Sequence, residues 1–81
     1  MKVIVNIQLK EGVLDPQGKA VLHALSSLKF NEVNDVRIGK QILLDVEGTD
    51  KASIEARVQV MCDDLLANTV IENYTIEFPS C

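Results

Sequence analysis

Apolar and polar residues alternate from the start of the chain: Val3, Val5, Ile7 and Leu9 fall on one side of an extended backbone, Ile4, Asn6 and Gln8 on the other. Residues 2–9 are therefore expected to form a strand with one buried and one fairly polar face. Further on the period becomes helical. Val21, Ala24, Leu25 and Leu28 recur at i, i+3, i+4 and i+7, which predicts a helix over 16–28 with that stripe turned inward and His23 roughly opposite, on the surface. Extended patterns return over 33–38 and 41–47, with Gly39-Lys40 between them. A second helix is expected over 51–67, capped by Asp50, with Ile54, Val58, Met61 and Leu65 inward, Cys62 and Leu66 at the edge and Val60 turned away. Asn68 can end that helix in the left-handed conformation. Residues 70–78 supply the last strand, with Tyr74, Ile76 and Phe78 inward.

The order β-α-β-β-α-β predicts one α+β domain over residues 1–81 of the ferredoxin-like, split βαβ type: a four-stranded antiparallel sheet with two helices on one face. Two local signals conflict at Gly39. A two-residue Gly-Lys turn sets Ile38 opposite Gln41, yet the inward positions are Val36, Ile38, Ile42, Leu44 and Val46, so a bulge or an extra loop residue is expected there. Arg37, Asp45 and Glu47 would then share the outer face.

The change of period falls within Gly12-Val13-Leu14-Asp15-Pro16-Gln17-Gly18. Asp15 reads as a helix cap and Pro16 as the first helical residue, since proline there gives up no hydrogen bond. Gly18 is the oddity, because glycine at the third helical position costs roughly 1 kcal/mol relative to alanine. It implies either a close backbone approach or a first turn under little pressure for stability. Gly12…Gly18-Lys19 is not a phosphate loop: five residues separate the glycines and Ala20 replaces the magnesium-holding hydroxyl.

Composition narrows the function classes. Eight basic against twelve acidic residues give a net charge of −4, with no basic stripe, and the aromatics are only Phe30, Tyr74 and Phe78. Neither favours nucleic acid. No apolar run reaches the ~18 residues of a membrane span. Cys62 and Cys81 form neither a disulfide framework nor a CxxC pair, which fits a reduced, cytoplasmic setting. A lone His23 with no ligand cluster gives no metal site, and no residues have the placement that catalysis needs. So short a chain buries about 60–65% of its unfolded surface, so self-association is expected; Ile4, Leu43 and Val60, apolar residues on polar faces, are the candidate dimer contacts.

Three segments carry a resemblance: KEGVLDPQGKAVLHALSSL (10–28), EVNDVRIGK (32–40) and CDDLLANTVIENYTIE (62–77). Together they resemble the PurS family, the small subunit of phosphoribosylformylglycinamidine (FGAM) synthase in purine biosynthesis, over almost the whole chain. Thr69 stands where the family commonly has proline. The resemblance implies a subunit without catalytic residues or cofactors of its own. It would dimerise, or form a higher oligomer, and join a glutaminase subunit (PurQ) to a large synthetase subunit (PurL). The complex would use glutamine, ATP and Mg2+ to convert formylglycinamide ribonucleotide to formylglycinamidine ribonucleotide. Candidate partner contacts are Gly12, Val13, Leu14, Asp15, Pro16, Gln17, Gly18, Arg37, Gly39 and Lys40, with Gly18 kept small for a partner's backbone. A dimerising ferredoxin-like sensor of small molecules is the alternative; such a domain gains stability from its ligand when isolated.

Overall fold

The computed structural model describes residues 1–79. The first strand, β1 (Lys2–Leu9), lies at the centre of an antiparallel sheet, flanked by β2 (Lys40–Asp45) and β3 (Glu72–Glu77). The register sets Val3 opposite Leu44, and Val5 opposite both Ile42 and Ile76. Alternation then carries Val3, Val5 and Ile7 to one face, where they are fully buried. Helix α2 (Lys51–Met61) covers that face with Ile54 and Val58. Ile42, Leu44, Val46, Tyr74, Ile76 and Phe78 pack around this core and are only half-buried. The other face carries Asn6, Gln41 and Thr75, with Ile4 directly opposite Leu43.

The sheet has three strands among the described residues rather than four. Residues 33–38 run outside the sheet, because their backbone groups are engaged elsewhere. The Val36 N–H donates to Asp35 Oδ1 (2.9 Å) and the Ile38 N–H to Asp15 Oδ2 (2.7 Å). Side chains that offer the backbone such bonds compete with a ladder. No Gly39 hairpin forms, so the expected bulge has no place; β2 takes its pairing from β1. Arg37 is not on the outer face with Asp45, whose partner is Lys2 Nζ at 3.2 Å.

Among the described residues, only α2 lies over the sheet. Helix α1 (Pro16–Ser27) contributes nothing to the core or to the side chains packed around it, and its one buried residue is Gly18. Val21 and Leu28, inward positions of the expected stripe, are 40% and 66% exposed. With the returning chain, α1 forms an arm that leaves the sheet after Leu9 and rejoins it at Lys40. The molecule accordingly measures 48 × 31 × 14 Å with a radius of gyration of 16.1 Å, against about 12 Å for a compact domain of this length. Lys29, at φ +75°, turns the chain at the arm's tip.

The second helix is also shorter than its pattern implies. After Met61 the chain widens into a π-helical turn, Cys62–Leu66, closed by the Ala67 N–H on the Cys62 carbonyl at 2.9 Å. One extra residue in the ring rotates the following side chains. Leu65 is therefore 82% exposed, while Leu66 is half-buried and Ala67 buried in its place. Asn68 is not left-handed. Its side chain accepts the Val70 N–H (3.2 Å) and its own N–H donates to Glu72 Oε1 (2.7 Å), so residues 68–71 form a turn and β3 begins at Glu72.

Candidate functional site

The chain's distinctive segments meet at one end of the sheet, where β1 stops. Lys10, just beyond β1, donates its N–H to the Ile71 carbonyl (2.8 Å), which ties on the 68–71 turn. Residues 10–13 form a turn closed by the Val13 N–H on the Lys10 carbonyl (3.2 Å), with Gly12 at φ +82°, as its third position requires. Arg37 reaches this turn from the far side of the arm. Its Nη1 donates to the Val13 carbonyl (3.1 Å) and its Nη2 to that of Lys10 (3.2 Å). A planar fork suits two neighbouring carbonyls in a way that an ammonium does not.

Asp15 lies at the centre. The cap expected of it is present, since its Oδ1 accepts the Gly18 N–H at 2.8 Å and Pro16 opens the helix. Its Oδ2 accepts the Ile38 N–H as well. One carboxylate thus closes a helix start and holds a backbone twenty-three residues away. The bond from Ile38 is the chief cause that draws its carboxyl below the ordinary 3.8, followed by the bond from Gly18; partial desolvation opposes them and the Arg37 charge assists.

Gly18 has an internal explanation. A Cβ there would collide with the Val36 carbonyl and come within 2.9 Å of Asp15 Oδ2. The close approach comes from the returning segment of the arm itself. Gly39 is likewise crowded, with the Ile7 carbonyl 2.7 Å from the position of a Cβ.

The ten candidate partner contacts are therefore gathered at one end of the sheet, at the base of the arm, although sequence separates them into two groups. Asp15 and Gly18 are buried within it; Gly12, Leu14, Pro16, Gln17, Arg37, Gly39 and Lys40 are exposed and Val13 half-buried. Leu14, 70% exposed, directly follows a turn whose backbone is tied down, and Val70, 81% exposed, stands on the neighbouring turn. The three dimer candidates are dispersed: Ile4 and Leu43 are neighbours on the outer sheet face, and Val60 lies on α2, 46% exposed. Asp35, Ile38 and Glu72 also hold this end together, and the sequence pattern does not mark them for that role. Asp35 was legible as a local backbone acceptor; the other two depend on long-range placement.

A cavity of about 260 Å³ opens beside Asp15, lined also by Gln17, Ile38, Lys40 and Glu72. Its charged groups are spoken for. Both Asp15 oxygens hold backbone N–H groups, and Lys40 Nζ lies 3.9 Å from Glu72 Oε2. No carboxylate here is free to move a proton, and no nucleophile faces a base. Cys62 is fully buried and burial pushes its thiol pKa up, which makes it a packing residue. Among the described residues, no group of three metal-ligating side chains comes together, and no helix is long and apolar enough to cross a membrane.

Comparison with known proteins adds a family. The family model described as PurS: Phosphoribosylformylglycinamidine (FGAM) synthase matches residues 2–80. The chain is 57% identical over 76 residues to the phosphoribosylformylglycinamidine synthase subunit PurS of Bacillus subtilis, covering 94% of this chain and 89% of that one. A crystal form of B. subtilis PurS superposes with a TM-score of 0.84 at 56% identity, covering 94% of each chain. A chain in the structure of PurLQS from Thermotoga maritima superposes with a TM-score of 0.86 at 33% identity, covering 94% of this chain and 93% of that one.

Proposed function

Because this chain belongs to the PurS family of FGAM synthase subunits, we propose that it serves purine biosynthesis as the piece that joins a glutaminase subunit to a synthetase subunit, and that it does so as a dimer or larger. The observation that carries the reading is the likeness, over almost its whole length, to a chain of the PurLQS assembly. The end of the sheet fits such a role. Its charged side chains brace turns rather than offering acids and bases, and Leu14 stands out as an apolar anchor on a fixed backbone. We place the contact with the other subunits there, through Gly12, Val13, Leu14, Pro16, Gln17 and Lys40, with Asp15, Gly18, Arg37 and Gly39 holding that surface in shape. Ammonia released from glutamine is used on formylglycinamide ribonucleotide at the expense of ATP with Mg2+, in the partner subunits. The setting is cytoplasmic.

The arm supports self-association. The apolar residues of α1 stand clear of the core, while Ile42, Leu44 and Val46 beside it are half-covered. A second copy supplies to each what it lacks. The outer pair Ile4 and Leu43, with Val60 on α2, gives a further apolar surface for a larger assembly. The test is co-elution of this chain with purified glutaminase and synthetase subunits of its own source organism. One complex containing all three, lost on replacing Leu14 with aspartate, is the expected result. Elution of the chain apart from both subunits, with glutamine and nucleotide present, contradicts the proposal.

A further inference from the structure

Resting on the self-association just proposed, we infer that Asp15 and Arg37 are positioning residues that fix the angle at which the arm leaves the sheet, so that its apolar face is presented to a second copy instead of folding back on its own sheet. A helix that follows a strand of a sheet normally buries its apolar stripe on the nearest sheet face. Here it does not, although the half-buried Ile42, Leu44 and Val46 belong to the same chain. What opposes folding back is the base of the arm. A single contact there would act as a pivot; this base has three, from different directions. Asp15 holds Ile38 and Gly18 together from the inside, at 2.7 and 2.8 Å. Arg37 grips the Lys10 and Val13 carbonyls from the outside, at 3.2 and 3.1 Å. Between them the backbone of Gly18 lies flat against the Val36 carbonyl, where any side chain would force the two apart.

A fixed arm is already ordered for its partner and loses little freedom on binding, whereas a loose one must be ordered at the cost of affinity. Asp15→Asn keeps one acceptor for the cap, but its amide nitrogen cannot accept from Ile38. Arg37→Gln removes the fork at an exposed position and leaves the cap untouched. Both are to be compared with the wild type for dimer dissociation constant by sedimentation. The arm angle is read by pulsed electron spin resonance between spin labels on Ser26→Cys and Thr75→Cys. Cys81→Ser removes the competing thiol, and an excess of unlabelled chain confines the distances to one copy.

The expected result is a narrow distance distribution in the wild-type background, broadened in both variants, with dimerisation weakened at least tenfold and strand content retained. Wild-type dimerisation and a narrow distribution in both variants overturn the inference and leave self-association standing. A wild-type chain that is monomeric at every concentration overturns the self-association and the inference with it. If Asp15→Asn fails to fold, Arg37→Gln decides alone.

Discussion

Asp15 Oδ2 accepts the N–H of Ile38 at 2.7 Å, and the pair ties the start of a helix to the chain that returns from it. This relationship explains more of the molecule than the cap does. It keeps residues 33–38 out of the sheet, brings Val36 against Gly18 and carries Arg37 to the turn at Lys10.

Gly18→Ala is expected to destabilise the chain by about 1–3 kcal/mol, the usual cost of forcing atoms into a filled space. Helix propensity alone gives the opposite sign, a gain of roughly 0.5–1 kcal/mol. Thermal melts at matched chain concentration separate the two, since each kcal/mol moves the midpoint about 4–8 °C in a domain of this size.

Stability carried by Asp15 should depend on pH in a defined direction. Its carboxyl titrates below 3.8 when folded, so its contribution is present above that value and is lost as the pH falls through the folded one. Asp45, lowered by Lys2, behaves alike in every variant and cancels in the comparison. The stability gap between wild type and Asp15→Asn should be full at pH 7 and shrink below about pH 4. A gap that is constant from pH 7 to pH 2.5 shows that the charge is immaterial.

The π-helical turn reverses the two leucines that periodicity places inward (Leu65) and at the edge (Leu66). Leu65→Ser should change the stability of the isolated chain by less than about 0.5 kcal/mol, as exposed sites do. Leu66→Ser should cost clearly more, and Ile54→Ala about 2–5 kcal/mol. Denaturant unfolding of the three variants checks the order.

The purified chain alone should neither hydrolyse glutamine nor consume ATP. Ammonia and phosphate release by a preparation free of other enzymes, abolished by a substitution in this chain, contradicts that expectation.

The elements with strong local signals are legible in the sequence. β1 follows from the alternation of Val3, Val5 and Ile7, the start of α1 from Asp15-Pro16, and α2 from Asp50 with Ile54 and Val58. What was not legible depends on where chain segments go. The pattern at 33–38 is that of a strand, but a single long-range carboxylate and the Asp35 side chain claim its N–H groups. Apolar spacing marks Val21 and Leu28 for burial without saying in which chain, and no periodicity announces one extra residue in a helical turn. Gly18 left open a close approach or a lax first turn, and only the fold shows that Val36 approaches it.

The chain belongs to the PurS subunits of FGAM synthase, and its proposed role is to join the other two subunits. The direct measurement is formylglycinamidine ribonucleotide formation by purified glutaminase and synthetase subunits with glutamine, ATP and Mg2+, titrated with this chain. Ammonium chloride in place of glutamine serves as the parallel arm. Glutamine-dependent synthesis that rises from background and saturates as the chain is added, with the isolated chain inert, is the predicted result. Equal glutamine-dependent rates with and without the chain would contradict it.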